Sequence, residues 1–161
     1  MKKIDWPLLI VIALFLLGGG AFFYFVKVSA VSLVNPESAK QTLIKIAPGE
    51  EFSLFYTHSI YDALVSEEFR AGQDEMILIG VRTNHAGVKE YYGFEGSEEF
   101  HFIKRTFKNP IVIKIGAGEG QGIGAGGRRL FLREIGQKGD RIELRIREYS
   151  LATFIILNAF Q

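Results

Sequence analysis

Three histidines and no cysteine bound the chemistry open to this 161-residue chain. His58 and Ser59 stand side by side in Tyr56-Thr57-His58-Ser59-Ile60, and Glu67 follows nine residues after His58. A hydroxyl, an imidazole and a carboxylate are the parts of a hydrolytic triad, and His85 could replace His58 as its base. Adjacent residues of a strand point to opposite faces, however, so His58 cannot act as base to Ser59 while that strand stays regular. No G-x-S-x-G is present. His58, His85 and Glu67 also offer donors to a metal, at spacings that match no ligand motif. The lack of cysteine removes disulfides, thiolate metal sites and cysteine nucleophiles. The plainer expectation gives each histidine a structural hydrogen bond, with the strand-end His-Ser pair satisfying turn amides. If residues 60–64 turn a hairpin, His58 comes opposite Glu67, and an imidazole–carboxylate bond braces it. On this reading neither catalysis nor a metal or other cofactor is expected.

The stretch Gly116 to Gly127 holds seven glycines in twelve residues, and Gly122, Gly124 and Gly127 fit G-x-G-x-x-G. A dinucleotide fingerprint needs a helix after the glycines. Here Arg128-Arg129-Leu130-Phe131-Leu132 follows, which is no helix, and no Gly-Lys-Ser/Thr occurs. The segment therefore reads as a mobile hairpin connection, with Arg128 and Arg129 keeping contact with an anion open. Nothing points to nucleic acid.

The elements that must position these residues read as strands. Ile142, Leu144 and Ile146 alternate with Arg141, Glu143, Arg145 and Arg147, which predicts a half-buried antiparallel strand. Ile111–Ile115 repeats the pattern, and Leu130 with Leu132 follows it more weakly. Met76–Val81 is apolar on both faces and reads as central. Further runs lie at Val31–Val34, Thr42–Ile46, Phe52–His58, Leu64–Phe69 and Glu99–Ile103. Leu151–Leu157 also reads as strand, from its Thr, Ile and Phe content. Turn signals separate the runs, among them Pro48-Gly49, Gly96-Ser97 and Asn109-Pro110. The fold class expected is all-β, an antiparallel β-sandwich or partly open barrel, preceded by one N-terminal transmembrane helix.

That helix rests on Pro7–Val26, an unbroken apolar run flanked by Lys2, Lys3 and Lys27. Twenty residues make roughly 30 Å of helix, enough for a bilayer core. Two readings compete: an uncleaved anchor over residues 1–29, or a signal peptide cut near Ala30 at Val28-Ser29-Ala30. Trp6 and Tyr24 near the ends suit an anchor. Ala21–Val26 makes the apolar region long for a signal peptide, and the chain has no cysteine to acylate as a lipoprotein. Lys2 and Lys3 outweigh Asp5, so the positive-inside rule puts the N-terminus in the cytoplasm. Residues 30–161 then form one extracytoplasmic β-rich domain on the cytoplasmic membrane, or a secreted one after cleavage. Within the chain, residues 31–103 carry five Lys/Arg against twelve Asp/Glu, and residues 104–161 carry eleven against five. Acidic strands pairing with basic ones across a sheet would explain the split more simply than a basic face for anionic ligands.

Phe52–Ile60, with its Tyr-Thr-His-Ser motif, and Glu67-Glu68-Phe69 beyond it resemble the opening of the DUF1850 domain family. Arg82-Thr83-Asn84-His85-Ala86-Gly87-Val88 is similar to that family's second motif, a Gly-Ala-Gly-Leu-Pro-like turn, with His85 in place of the first glycine and Val88-Lys89 in place of Leu-Pro. The resemblance covers roughly residues 30–150. It implies Tyr56, His58, Ser59, Glu67, Ala86 and Gly87 as shared residues, with no catalytic role assigned. It also implies a small anchored or exported domain found beside TAXI-type TRAP transporters, which import small carboxylates through an extracytoplasmic receptor. Two classes of function follow. One is a non-catalytic accessory domain that docks on the permease or its solute receptor. The other is a small-ligand-binding or hydrolytic domain using Tyr56, His58, Ser59, Glu67, His85 and Gly87.

Overall fold

A computed structural model describes residues 6–118 and 120–159, with the side chains of residues 8, 9, 16 and 17 outside that description. The chain runs as helix α1 (Trp6–Phe25), strands β1 (Lys27–Asn35), β2 (Lys40–Lys45), β3 (Glu51–His58), β4 (Ala63–Ala71) and β5 (Glu75–Arg82), then helix α2 (Ala86–Tyr92). Strands β6 (Phe100–Lys108), β7 (Ile111–Lys114), β8 (Gly122–Ala125), β9 (Arg128–Phe131) and β10 (Arg141–Ser150) follow, and helix α3 (Leu151–Ala159) closes the chain. The strands form two antiparallel sheets, β2-β1-β10-β7 and β6-β5-β4-β3-β8-β9. One core lies between them. Val31, Leu33, Ile142, Leu144 and Ile146 of the first sheet meet Phe52, Phe69, Met76, Leu78 and Ile123 of the second. The β-sandwich expected from the alternation is therefore present, and neither sheet closes into a barrel. Among the described residues no helix is long and apolar enough to cross a membrane; the four α1 positions outside the side-chain description are all leucine.

The strand alternation holds where it was clearest. Ile142, Leu144 and Ile146 are buried, while Arg141 and Arg147 are exposed. Apart from Leu151–Leu157, the longer predicted runs fall in strands to within a residue or two, and β5 lies inside its sheet between β4 and β6. Asn35, fully buried at the end of β1, bonds the return of the chain: its Nδ2 donates to Ile135 O at 3.2 Å and to Asp140 Oδ2 at 2.8 Å. Its Oδ1 accepts from the Glu37 amide, which starts the turn into β2.

Three expectations are corrected. Leu151–Leu157 is helical, not a strand. The β10 ladder ends at the pair Lys27↔Ser150, because α1 precedes Lys27 and leaves Leu151 no strand to join. Ser150 then caps a helix, its Oγ accepting from the Thr153 amide at 3.2 Å, as N-cap serines do. The glycine-rich segment is not simply a connection, since Gly122–Ala125 forms β8 and pairs with β3 and β9. Third, among the described residues the ion pairs Glu51–Arg70, Glu68–Arg82 and Glu143–Arg145 each join residues of the same half of the chain, although Glu75 of β5 does stand opposite Lys108 of β6.

Two tests follow. Leu144→Asp should unfold the domain, since an unpaired charge in a core costs several kcal/mol against a total of about 5–15. Arg147→Asp on the outer face should stay within about 1 kcal/mol of wild type in chemical denaturation. Separately, the Gln137 amide and then the Asn35 side chain hold the Asp140 carboxyl below its usual value. A carboxyl depressed in the folded state stabilises fully above its unfolded pKa, and loses that effect as pH falls through the lower folded value. Wild type should therefore exceed Asp140→Ala by a constant margin above about pH 5, a margin that shrinks below about pH 4. Denaturation midpoints at pH 6, 4 and 3 check it, and a margin unchanged at pH 3 would contradict it.

Candidate functional site

Gly124 of β8 and Gly120 just before it line an open depression on the surface. Ile123 and Ala125 face the core, so Gly120, Gly122 and Gly124, two residues apart, fall on the outer face of the six-stranded sheet. With no side chains there, neighbouring strands come close. A Cβ on Gly122 would meet the Phe55 ring at 2.5 Å and Leu130 O at 2.5 Å, so only glycine fits beneath that ring. The result is an open groove of about 840 Å³ across β9, β8, β3, β4 and β5. Phe55, Leu64 and Phe131 give it apolar walls, and Ser53 and Ser66 add hydroxyls. Phe131 meets Phe55 edge-on at 5.7 Å. Arg129 lies over the Phe55 ring at 4.4 Å, and Arg82 lies 5.1 Å from the Phe100 ring and 3.8 Å from Glu68. These two cations stand at opposite sides of the groove, while Asp62 and Glu99 line its end near the β3–β4 turn.

The opposite face of the same sheet holds Tyr56 and Glu67. Glu67 Oε1 accepts from Tyr92 Oη at 2.7 Å and from Tyr56 Oη at 3.1 Å, and the two hydroxyls lie 2.6 Å apart. Tyr92 belongs to α2, so these three oxygens fasten that helix to β3 and β4. Burial pushes both phenols above their ordinary value. For Tyr92, the hydrogen bonds with Tyr56 and Glu67 add to it. For Tyr56, the hydrogen bond with Tyr92 acts the other way without cancelling burial, and the Glu67 charge raises it further. Both stay protonated near neutral pH, so they act as donors and not as phenolate bases or nucleophiles. The expected His58–Glu67 bond does not form: the register pairs His58 with Ala63, and Glu67 sits opposite Leu54.

His58 and His85 instead flank one ring. Their imidazoles lie 5.0 and 5.2 Å from the Tyr61 ring, and Tyr91 of α2 meets His58 edge-on at 5.3 Å. His58 Nδ1 accepts from the Ile60 amide at 3.4 Å, a turn contact of the expected kind. His85 Nδ1 accepts from the Gly87 amide at 3.2 Å and so caps α2. Each neutral ring therefore carries its proton on Nε2. Gly87 lies against Tyr61, where a Cβ would come within 2.6 Å of the ring. The second motif is thus a short helix rather than a turn, ended by Gly93 at φ +74°.

The structure brings His58, His85 and Gly87 together around Tyr61, and separately joins Tyr56 to Glu67. Ser59 is exposed in the β3–β4 turn, and among the described residues no hydrogen bond links it to either histidine. Among the described residues no three His, Asp or Glu side chains are grouped to hold a metal ion. Of the six residues nominated for a ligand or partner, His85 alone lines the groove, and so does Arg129, one of the two arginines kept open for an anion. Sequence reading missed Tyr92, Arg82, Phe55 and the period-two glycines; the last were legible, because Gln121, Ile123 and Ala125 alternate with them. It also passed over His101, which is buried and stacked on Phe94 at 4.5 Å, its Nε2 without a hydrogen-bond partner. Compared with family models, curated proteins and solved structures, the chain matches none.

Tyr92→Phe should destabilise the domain by about 1–3 kcal/mol, the worth of a hydrogen bond to a carboxylate in a part-buried site. His58→Ala should cost less than Tyr92→Phe, because the hydrogen bond to its imidazole is long and exposed. Thermal denaturation of the two variants checks the order; a larger loss for His58→Ala would return the bracing role to that histidine.

Proposed function

We propose that this chain is a membrane-anchored, extracytoplasmic binding module that takes a small organic acid in the glycine-floored groove. The observation that carries the ligand reading is that groove, with Phe55, Leu64 and Phe131 as apolar walls and Arg82 and Arg129 at its flanks. An apolar concavity with a few placed polar groups is the usual form of a small-molecule site. Arg129 has no ion-pair partner among the described residues, and its guanidinium is suited to a carboxylate. Asp62 and Glu99 at one end disfavour a polyanion and suit a ligand with one acid group and an apolar body.

Anchoring is supported by α1. Its apolar side chains are exposed all round, from Ile10, Ile12 and Phe15 to Phe22 and Phe25, and an all-apolar helix surface belongs in a membrane rather than in water. An uncleaved anchor is favoured over a signal peptide because residues 28–30 lie in β1, paired with Tyr149, Glu148 and Arg147 of β10. A cut at Ala30 would strip the start of that ladder. The charge rule then places the β domain outside. The DUF1850 resemblance supports company with a TAXI-type TRAP permease or its solute receptor, whose carboxylate cargo is the chemistry that this groove fits.

The test is a thermal-shift panel of aliphatic and aromatic monocarboxylates on the full-length protein in detergent. A ligand at about ten times its Kd should add about 1.4 kcal/mol, or roughly 3–6 °C. Arg129→Glu, and Ser66→Trp to fill the groove, should each abolish the shift. No stabilising acid, or a shift that survives both variants, would sink the ligand reading. Failure of a TRAP component to co-purify from native membranes would separately remove the transporter association.

A further inference from the structure

We propose that α3 is a second membrane element, lying in the interfacial layer of an anionic bilayer beside the root of α1. This rests on reading α1 as the anchor. The amide of Leu151, the first residue of α3, donates to the carbonyl of Val26, one residue past the end of α1, at 2.8 Å. If α1 crosses the bilayer, α3 therefore begins at its surface. Nine residues span only about 13 Å, too short to cross.

Composition and packing agree with an interfacial position. α3 carries no charged residue, and its sequence LATFIILNA is mostly apolar. Phe154 and Asn158, on one side, are half-buried and line a cleft with Ile44, Lys45, Gly126 and Arg128. Ile155 and Ile156 stay exposed at 47% and 55%. Two adjacent isoleucines uncovered beside an apolar helix continue the α1 surface rather than interrupt it. Around this corner stand Lys27, Lys45 and Arg128, all exposed and none with an ion-pair partner among the described residues. Lys45 and Arg128 border the cleft directly, with Glu148 two residues before the last β10 pair as the nearest opposing charge in the ladder. Phosphodiester headgroups of anionic lipids complement cations at such a level.

The lack of native cysteine makes the test clean. Single cysteines are introduced as Ile156→Cys or Ile155→Cys in α3, Phe15→Cys in α1 and Lys138→Cys at the far end of the domain. Each is labelled with an environment-sensitive fluorophore in the full-length protein, reconstituted in phosphatidylcholine vesicles with or without phosphatidylglycerol. Nitroxide lipids then report depth. The label at 156 or 155 should be quenched at least twofold by a shallow nitroxide, the label at 15 by a deep one, and the label at 138 by neither. Phosphatidylglycerol should increase quenching at 156, and Lys45→Ala with Arg128→Ala should remove that increase. Quenching at 15 but not at 156 or 155 would overturn the α3 inference and leave the anchor standing. No quenching at 15 would overturn both. Shielding of 156 from aqueous iodide without lipid quenching would assign the face to a protein contact and overturn the proposal, as would indifference to phosphatidylglycerol.

Discussion

The pairing of β1 with β10 is the constraint on which the rest of this molecule depends. It joins the first strand to the last, from Lys27↔Ser150 to Val34↔Glu143, and so brings the end of α1 and the start of α3 to one corner. Because side chains alternate, a slip of one residue would turn Val31 and Leu33, or Ile142, Leu144 and Ile146, away from the opposite sheet. The hydrophobic core therefore holds the register, and the register sets the direction of the chain. Helix α1 must enter and α3 must leave at one end, while the β3–β4 turn, α2 and the β5–β6 connection collect at the other. Whatever the α1 end is held by, the histidine cluster faces away from it.

At that far end, polar groups rather than apolar packing decide the arrangement. A carboxylate on an inward-facing strand position would be costly alone. Glu67 is kept there by two tyrosine hydroxyls, one from its own sheet and one from α2, and that helix is too short to hold itself by backbone bonds alone. Burial, with the Glu67 charge adding to it, raises both phenols and keeps them as hydrogen-bond donors near neutral pH. A group of residues that looks reactive in the sequence is thus a fastening in the fold, and it positions His85, Gly87 and Tyr91 around Tyr61. Asn35 plays the matching part in the other sheet, binding two distant backbone turns from a fully buried position.

The groove has a different origin. Its floor is defined by what is missing: glycines at alternate positions of one strand face, under aromatic rings that need the room. Their closeness to Phe55 and Ser53 shows glycine used to admit neighbours; of the described glycines in 116–127, Gly126 and Gly127 have left-handed backbone, in the turn after β8. Two arginines laid on aromatic rings border this surface; Arg82 also pairs with Glu68, whereas Arg129 has no ion-pair partner among the described residues.

The sequence by itself determined what repeats at short range. The period-two alternation of Ile142–Ile146, the apolar runs and the turn residues specified strands, and two stacked antiparallel sheets are the natural way to bury one face of so many. The apolar run at 7–26 was equally plain. Only the tertiary structure decided what depends on a partner. Leu151–Leu157 has a strand-like composition, yet its neighbour β1 ends at Lys27 and Ser150 offers a cap, so it coils. Glu67 could have met His58 by sequence spacing, but a four-residue turn gave a register that places it beside Tyr56 and within reach of Tyr92. The glycine stretch read as a loop because its composition is a loop's; pairing with β3 made a third of it a strand, and that pairing is a contact between residues about seventy positions apart. Local pattern is written in neighbouring residues, whereas register, helix docking and the groove depend on which distant segments meet.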